Sequence, residues 1–389
     1  MQAETRRRPV SFLFLGETLL MPHLYPVLES LARAAPQLPI DAWVATQTHE
    51  VLIGNWIAQA GLGSVRIRRA PGYRRTEHPE LGINPQLPAK IPGLLRLLPH
   101  LLRARAVICA EQTSLWIPRV ASWLPGLPPF IQTLHGAGTI NSGRSGVRRD
   151  AAALIMVASE QERDSYLAHG MDPARIRTTG YVKAGFEHLA SRVPAFAQDR
   201  PVILYNPHWQ RFRSSWWEWG TEVIRRIQET GRYNLIFAPH QRLVEGVSDL
   251  RALCRDLARR DDTICDIESF AAVDGSYTRA ADIYLGDTSS QVLEFLQRPR
   301  PVVFLDAQGC DWKDNPTLSM WHLGEVVTDP AQLVPALESA QAAQPSRSEG
   351  QAAFIARQMG AADGSGPDRA AHVVLEFLNL EGAANRSRP

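Results

Sequence analysis

Short, largely apolar runs recur along the whole chain, each closed by a polar turn and followed by an amphipathic stretch. They occupy residues 10–15, 40–45, 106–110, 153–158, 202–205, 233–238, 281–285 and 302–305. Such runs are too apolar to have one face in water and suit strands buried on both faces of a parallel sheet. The amphipathic stretches between them supply the crossover helices, so the alternation predicts an α/β fold. A chain of 389 residues exceeds the usual single core. Two Rossmann-like α/β domains facing a central cleft are therefore expected. Residues 1–192 form the first, residues 193–366 the second, and 367–389 a helix returning to the first domain, then a tail.

Composition narrows the function classes. The chain is 44% hydrophobic and 21% charged, as globular proteins are. Lys and Arg number 42 against 40 Asp and Glu, which gives no argument for nucleic acid as a partner. Cys109, Cys254, Cys265 and Cys310 make no C-x-x-C pair, so neither a zinc site nor a disulfide framework is expected, and a reducing cytoplasm is the simplest compartment. Arg6, Arg7 and Arg8 precede an apolar run that Gly16 and Glu17 interrupt, which reads as a first strand rather than a signal peptide. No apolar run reaches the roughly 20 residues that span a bilayer. Residues 89–104 mix apolar side chains with Lys90, Arg96, His100 and Arg103. They suit either a helix packed on the first core or one lying on an anionic membrane surface. Residues 69–88 are rich in Pro, Gly and charge and read as a long loop, and 341–366 as a looser segment.

Chemistry gathers where strands end. Residues 281–285 run into Asp287-Thr288-Ser289-Ser290, a set of side-chain oxygens at a helix start that suits an anion or an ordinary cap. Residues 202–205 run into Asn206-Pro-His208-Trp-Gln-Arg211-Phe-Arg213, and 233–238 into Pro239-His240-Gln-Arg242. Imidazoles, guanidinium groups and an aromatic ring fit a nucleotide or phosphate. In a doubly wound sheet all three turns share one edge. In the first half, residues 130–134 lead into His135-Gly136-Ala-Gly138, where glycines let the backbone approach a ligand and a histidine stands at a strand end. The Trp216, Trp217 and Trp219 cluster reads as packing. Ser159-x-x-Glu162 has the capping-box spacing. There is no G-x-G-x-x-G after the first strand and no Walker A sequence, so a dinucleotide cofactor and a P-loop ATPase are disfavoured, and there is no G-x-S-x-G elbow.

These turns, in this order, resemble a known family. Tyr205-Asn-Pro-His-Trp-Gln-Arg211, Phe237-Ala-Pro-His240, Gly286-Asp-Thr-Ser-Ser290 with Glu294, and Arg298-Pro-Arg-Pro-Val-Val303 are similar to segments of the CDP-glycerol glycerophosphotransferases, the teichoic-acid polymerase type. Gln132-Thr-Leu-His-Gly136 resembles that family's Gln-Thr-Trp-His-Gly signature, and Thr179-Gly-Tyr181 its Thr-Gly-Tyr-Pro turn. The resemblance spans residues 130–306. It implies a GT-B-like architecture, and transfer of a glycerol phosphate from CDP-glycerol or another CDP-alditol to a hydroxyl of a glycan or lipid-linked acceptor. It further implies His135 as general base and His240 as a ligand of the donor pyrophosphate, and it implies neither a cofactor nor a metal. Thr288, Ser289 and Ser290 would hold donor phosphate, and the enzyme would sit in the cytoplasm or on the inner face of the membrane. The chain departs from the family at Asn206-Pro207-His208, Pro239-His240-Gln241, Ala137-Gly138-Thr139 and Glu294, which bears on the donor more than on the fold. A nucleotide-sugar glycosyltransferase, a related epimerase and a non-catalytic scaffold remain as alternatives.

Overall fold

The computed structural model describes residues 8–134, 136, 149–267, 269–361 and 363–379. The chain divides into two compact units, residues 1–189 with 356–389, and residues 190–355. Among the described residues, the first unit holds a parallel sheet in the order β3-β2-β1-β4-β5-β6-β7. Its strands are β1 (Val10–Phe14), β2 (Ile40–Thr46), β3 (Val65–Arg74), β4 (Ala106–Cys109), β5 (Phe130–Thr133), β6 (Leu154–Val157) and β7 (Ile176–Thr178). Helices α1 (Tyr25–Ala34), α2 (Gln47–Ala60), α3 (Lys90–Leu101), α4 (Trp116–Val120) and α5 (Glu160–Ala168) connect them. Val10 lies opposite both Ile40 and Ala106, so the strand order reverses at β1.

The second unit repeats the plan, with strand order β10-β9-β8-β11-β12-β13, all parallel. These are β8 (Val202–Asn206), β9 (Asn234–Phe237), β10 (Thr263–Cys265), β11 (Ile283–Gly286), β12 (Val302–Leu305) and β13 (Glu325–Val327). Its helices are α6 (Trp216–Thr230), α7 (Gln241–Gly246), α8 (Leu250–Leu257), α9 (Ser276–Ala280), α10 (Ser290–Phe295) and α11 (Leu333–Met359), the last crossing the boundary between the units. The strands are apolar because they are covered on both faces: Ile203, Tyr205, Leu235, Phe237, Leu285 and Val303 share one core. Each side chain of this kind contributes about 1.5–3 kcal/mol on burial. A last helix, α12 (Gly366–Phe377), packs on α1 in the first unit, burying Ala370, Ala371 and Val374. Ser30 donates to Asp368 at 2.7 Å, and Arg105 to the Leu378 carbonyl at 2.6 Å.

Three expectations are corrected. Residues 69–74 are not loop: β3 continues to Arg74, with a register shift against β2 between Val44 and Thr46. Gly72, at φ 87°, absorbs the bend, and Arg69 and Tyr73 both reach Glu50, pinning the edge strand to α2. Residues 341–359 are not loose, because α11 runs unbroken through Pro345. The buried Gln351 amide secures its far half by donating to the carbonyls of Leu323 at 2.9 Å and Arg300 at 3.0 Å. Finally, Cys254 and Cys265 form a disulfide that joins α8 to β10, a pairing their spacing of 11 does not advertise.

Candidate active site

The strand order of the second sheet reverses at β8, between β9 and β11. Ligands of doubly wound sheets bind outside the carboxyl ends of the strands at such a reversal. The turns after those three strands carry His208, His240 and Asp287. The hub is Asp287, which is 1% exposed. One carboxylate oxygen accepts the His208 backbone N–H at 2.8 Å, the other that of Ser215 at 3.0 Å. Both ends of the turn between β8 and α6 are thus fastened to the end of β11. The Ser215 hydroxyl also lies 3.1 Å from the Tyr205 hydroxyl. Asn206, buried beside it, donates to the Ala238 carbonyl and so ties β8 to the end of β9. Gly286 completes the junction: a Cβ there would sit 2.8 Å from the Asn206 carbonyl oxygen, so only glycine allows the two strand ends to meet.

The fastened turn presents imidazoles in a set tautomer. His208 Nδ1 accepts the Gln210 backbone N–H at 3.1 Å, and His240 Nδ1 accepts that of Arg242 at 3.2 Å. A neutral ring that accepts at Nδ1 carries its proton on Nε2, so His208 offers an N–H donor. Burial, then the neighbouring His240 and Arg213, push the His208 pKa down to about 3, so it stays uncharged at neutral pH. The two rings lie 5.8 Å apart, and Trp209 stacks on His208 at 5.9 Å. Guanidinium groups sit over the aromatic rings of these turns: Arg242 over Trp209 at 5.2 Å, Arg211 over Trp217 at 5.5 Å and Arg213 over Phe212 at 4.9 Å. The arrangement combines imidazole N–H donors, three guanidinium groups and exposed aromatic faces, a chemistry suited to a phosphate-bearing ligand with a planar ring.

The hydroxyls of the next turn are partly committed. Thr288 is buried and accepts the Trp321 indole N–H at 2.9 Å, while Ser289 caps α10 by accepting the Gln291 N–H at 3.2 Å. Ser290 and Glu294 lie half-buried on that helix. Nothing in the sequence marks Trp321, which is held by stacking on Phe304. Asp287, for its part, acts as the fastener of the His208 turn, with both oxygens engaged by backbone.

In the first unit the strand order reverses at β1, and the groups after β1, β2 and β4 interlock. His49 is buried, with Nε2 3.0 Å from the Gly16 carbonyl and Nδ1 2.7 Å from the Thr46 hydroxyl. Burial lowers its pKa to about 4 despite the Gly16 bond. Lys90 pairs with Glu111 at the end of β4. Gln132 is fully buried at the end of β5, and neither amide atom has a partner among the described residues. His135 and Gly138 lie outside the described residues. Gly136 is described and has φ 85°. Ser159 caps α5 as its spacing predicts, accepting the Glu162 N–H at 3.2 Å, while the Glu162 carboxylate accepts the Ala158 N–H at 3.0 Å.

Two of these buried acids have a consequence for stability. Burial raises the pKa of Asp287 to about 7, against its two backbone bonds, and that of Glu162 to about 7, against the Ala158 N–H and Arg149. The folded chain therefore holds these protons more tightly than the unfolded chain does. Their neutral forms favour the fold, so the stability these two acids supply declines as pH climbs from the ordinary carboxylate range through about 7, whereas buried, uncharged His49 and His208 contribute in the opposite sense as pH climbs toward the ordinary imidazole range. The melting temperature of Asp287→Asn, set against that of the wild type, is expected to improve as pH climbs from 5 to 7.5, because the variant lacks the titrating acid while His49 and His208 are common to both. A difference between the two proteins that stays constant across that window would count against the Asp287 assignment.

No family model and no curated protein matches the chain. Solved structures do. The S. aureus MnaA–UDP co-structure aligns at TM-score 0.65 and 15% identity, over 96% of this chain and 97% of that one. A putative UDP-N-acetylglucosamine 2-epimerase from Listeria monocytogenes aligns at 0.59 and 15%, over 95% of each chain. A variant of the wall teichoic acid polymerase TagF soaked with CDPG aligns at 0.62 and 12%, over 97% of this chain and 90% of that one. Likeness at such identities speaks to architecture. The chain is a GT-B-like α/β protein with two Rossmann-like domains.

Proposed function

We propose that this protein is an enzyme that transfers glycerol phosphate, or another alditol phosphate, from a CDP-activated donor to a hydroxyl of a glycan or cell-surface polymer precursor, releasing CMP. The observation that carries the reading is the fastened turn of the second unit, where His208, His240 and Arg242 gather around Trp209 and the same turn carries Arg211 and Arg213. His208, Arg211 and His240 lie within the segments that resemble the glycerophosphotransferases, Arg213 and Arg242 lie just beyond them, and one neighbour in fold, a TagF variant, was soaked with CDPG.

In this reaction the acceptor oxygen attacks the phosphorus that carries the alditol. The new O–P bond forms as the bridging P–O bond of the pyrophosphate breaks, and CMP leaves with the electron pair. His135 takes the acceptor proton, because a hydroxyl is a poor nucleophile near neutrality. The second-unit imidazoles and guanidinium groups oppose the charge that builds on the leaving phosphate, as preorganised donors do. Thr288, Ser289 and Ser290 lie beside that leaving group, and the glycines at 136 and 138 let backbone approach the acceptor. On this reading the enzyme works on the cytoplasmic side.

A second reading, a sugar-nucleotide epimerase or glycosyltransferase, is favoured by the likeness to MnaA with UDP. Thermal stabilisation by a ligand panel separates the two, since a ligand that binds the native state raises stability by about 2.7 kcal/mol at a hundred times its Kd. The panel contains CDP-glycerol, CDP-ribitol, CMP, UDP, UDP-GlcNAc and a CMP-sugar. Selective stabilisation by a CDP-alditol, followed by CMP release with acceptor, is the expected result. Stabilisation by UDP or UDP-GlcNAc alone would overturn the reaction while keeping the fold.

A further inference from the structure

Helix α3 packs on the first core through Leu94, Leu97 and Leu101 and turns a second apolar row outward. Ile91 is 45% exposed and Leu95 50%, flanked by the exposed Arg96, His100 and Arg103. Helix α4 packs against α3 and adds exposed Val120 and Arg119. Just beyond it stands Trp123, 77% exposed yet held in place, since its indole N–H donates to the Val120 carbonyl at 3.1 Å. Large apolar side chains in water mark an interaction surface when they cluster, and this segment of the first unit gathers four.

We propose that α3 and the α4–Trp123 corner form a docking face for an anionic lipid surface, with Ile91, Leu95, Val120 and Trp123 entering the interface. Charge selects the occupant. Between residues 82 and 134 the basic residues are Lys90, Arg96, Arg103, Arg105 and Arg119, against the single acid Glu111, which Lys90 engages. The chain as a whole is nearly neutral, at +2. A basic rim around apolar side chains is what an acidic headgroup layer attracts. A second copy of the chain would bring the same cations face to face across a two-fold interface, which opposes self-association here. An indole with one edge bonded and the rest exposed is the residue that favours a headgroup boundary. No described helix is long and apolar enough to cross a membrane, so the contact is a peripheral one.

The face adjoins the chemistry of its own unit. The Lys90–Glu111 pair ties the start of α3 to the carboxyl end of β4, and a small hollow lined by Leu15, Ala45, Gly93, Leu94 and Ser114 lies between them. A lipid surface held on α3 thus lies beside the carboxyl edge of the first sheet. An acceptor carried by that surface would arrive at that edge without leaving it.

Co-sedimentation with vesicles tests the proposal and needs no turnover, so its outcome is separate from that of the transfer reaction. The full chain is expected to sediment with phosphatidylglycerol-containing vesicles, poorly with pure phosphatidylcholine, and less well in high salt. The double variant Leu95→Glu/Trp123→Glu changes only exposed side chains. It is expected to keep its circular dichroism spectrum and lose binding at least tenfold. Absence of wild-type binding, or undiminished binding by the variant, overturns the proposal. So does a wild-type dimer that Leu95→Glu splits and that ignores vesicles, which would assign the face to a second copy.

Discussion

Asp287→Ala is expected to release the His208 turn and to weaken nucleotide binding more than tenfold. The substitution strips the partner from two backbone N–H groups, those of His208 and Ser215, in a place that water does not reach. Each unsatisfied buried N–H costs about 1–3 kcal/mol. Removing a buried carboxylate returns part of that, leaving a net loss of roughly 2–4 kcal/mol and a melting temperature lower by several degrees. The larger consequence is positional. With its anchors gone, the turn no longer holds the His208 ring against His240 and Trp209, and the cations at Arg211 and Arg213 lose their register. Calorimetry and a nucleotide titration read the two effects separately. Asp287→Asn, which keeps one acceptor oxygen, should fall between wild type and alanine in both. A folded alanine variant with unaltered nucleotide affinity would remove Asp287 from the site.

His135→Ala is expected to abolish turnover while leaving the donor bound. A positioned general base contributes about a hundred- to ten-thousandfold in rate. The donor, on this reading, is held by the second unit, so stabilisation by a CDP-alditol should survive. Gly136 supports the assignment from the backbone: its φ of 85° is a conformation that a side chain disfavours by about 1–2 kcal/mol. Gly136→Ala should therefore lower turnover by misplacing the neighbouring imidazole, with a smaller loss than His135→Ala. If donor affinity falls as far as turnover in His135→Ala, the residue belongs to the donor side and the base must be sought elsewhere.

The alternation of apolar runs and amphipathic stretches carried the fold into the sequence in legible form, because a parallel strand covered on both faces has little choice of composition. β8 and β12 read cleanly for that reason. The edge strand β3 read only in its first residues, 65–67, since one side of it meets no neighbour and the charged residues that follow look like loop. The far half of α11 was hidden by Pro345, whose local penalty is overridden by tertiary bonds such as those of Gln351. The site was legible as a list of strand-end turns, because the reversal of strand order at β8 brings Asn206, His208, His240 and Asp287 to one edge. Its internal wiring was not. That Asp287 grips two backbone groups, and that Trp321 reaches Thr288, are contacts between residues far apart in the chain, for which local pattern holds no sign.

Helix α12 and the end of α11 belong to the first unit, although more than 160 residues of the second unit separate them from the rest of it. During synthesis the order of completion is therefore inverted. The second unit has all its residues once position 355 has emerged, whereas the first waits for the final helix to cover α1 with Ala370, Ala371 and Val374. Domains fold as units when their chain is available. The segment made first is thus the last to be sealed, and a stop codon a few dozen codons early would leave the second unit whole and the first open along the α1 face.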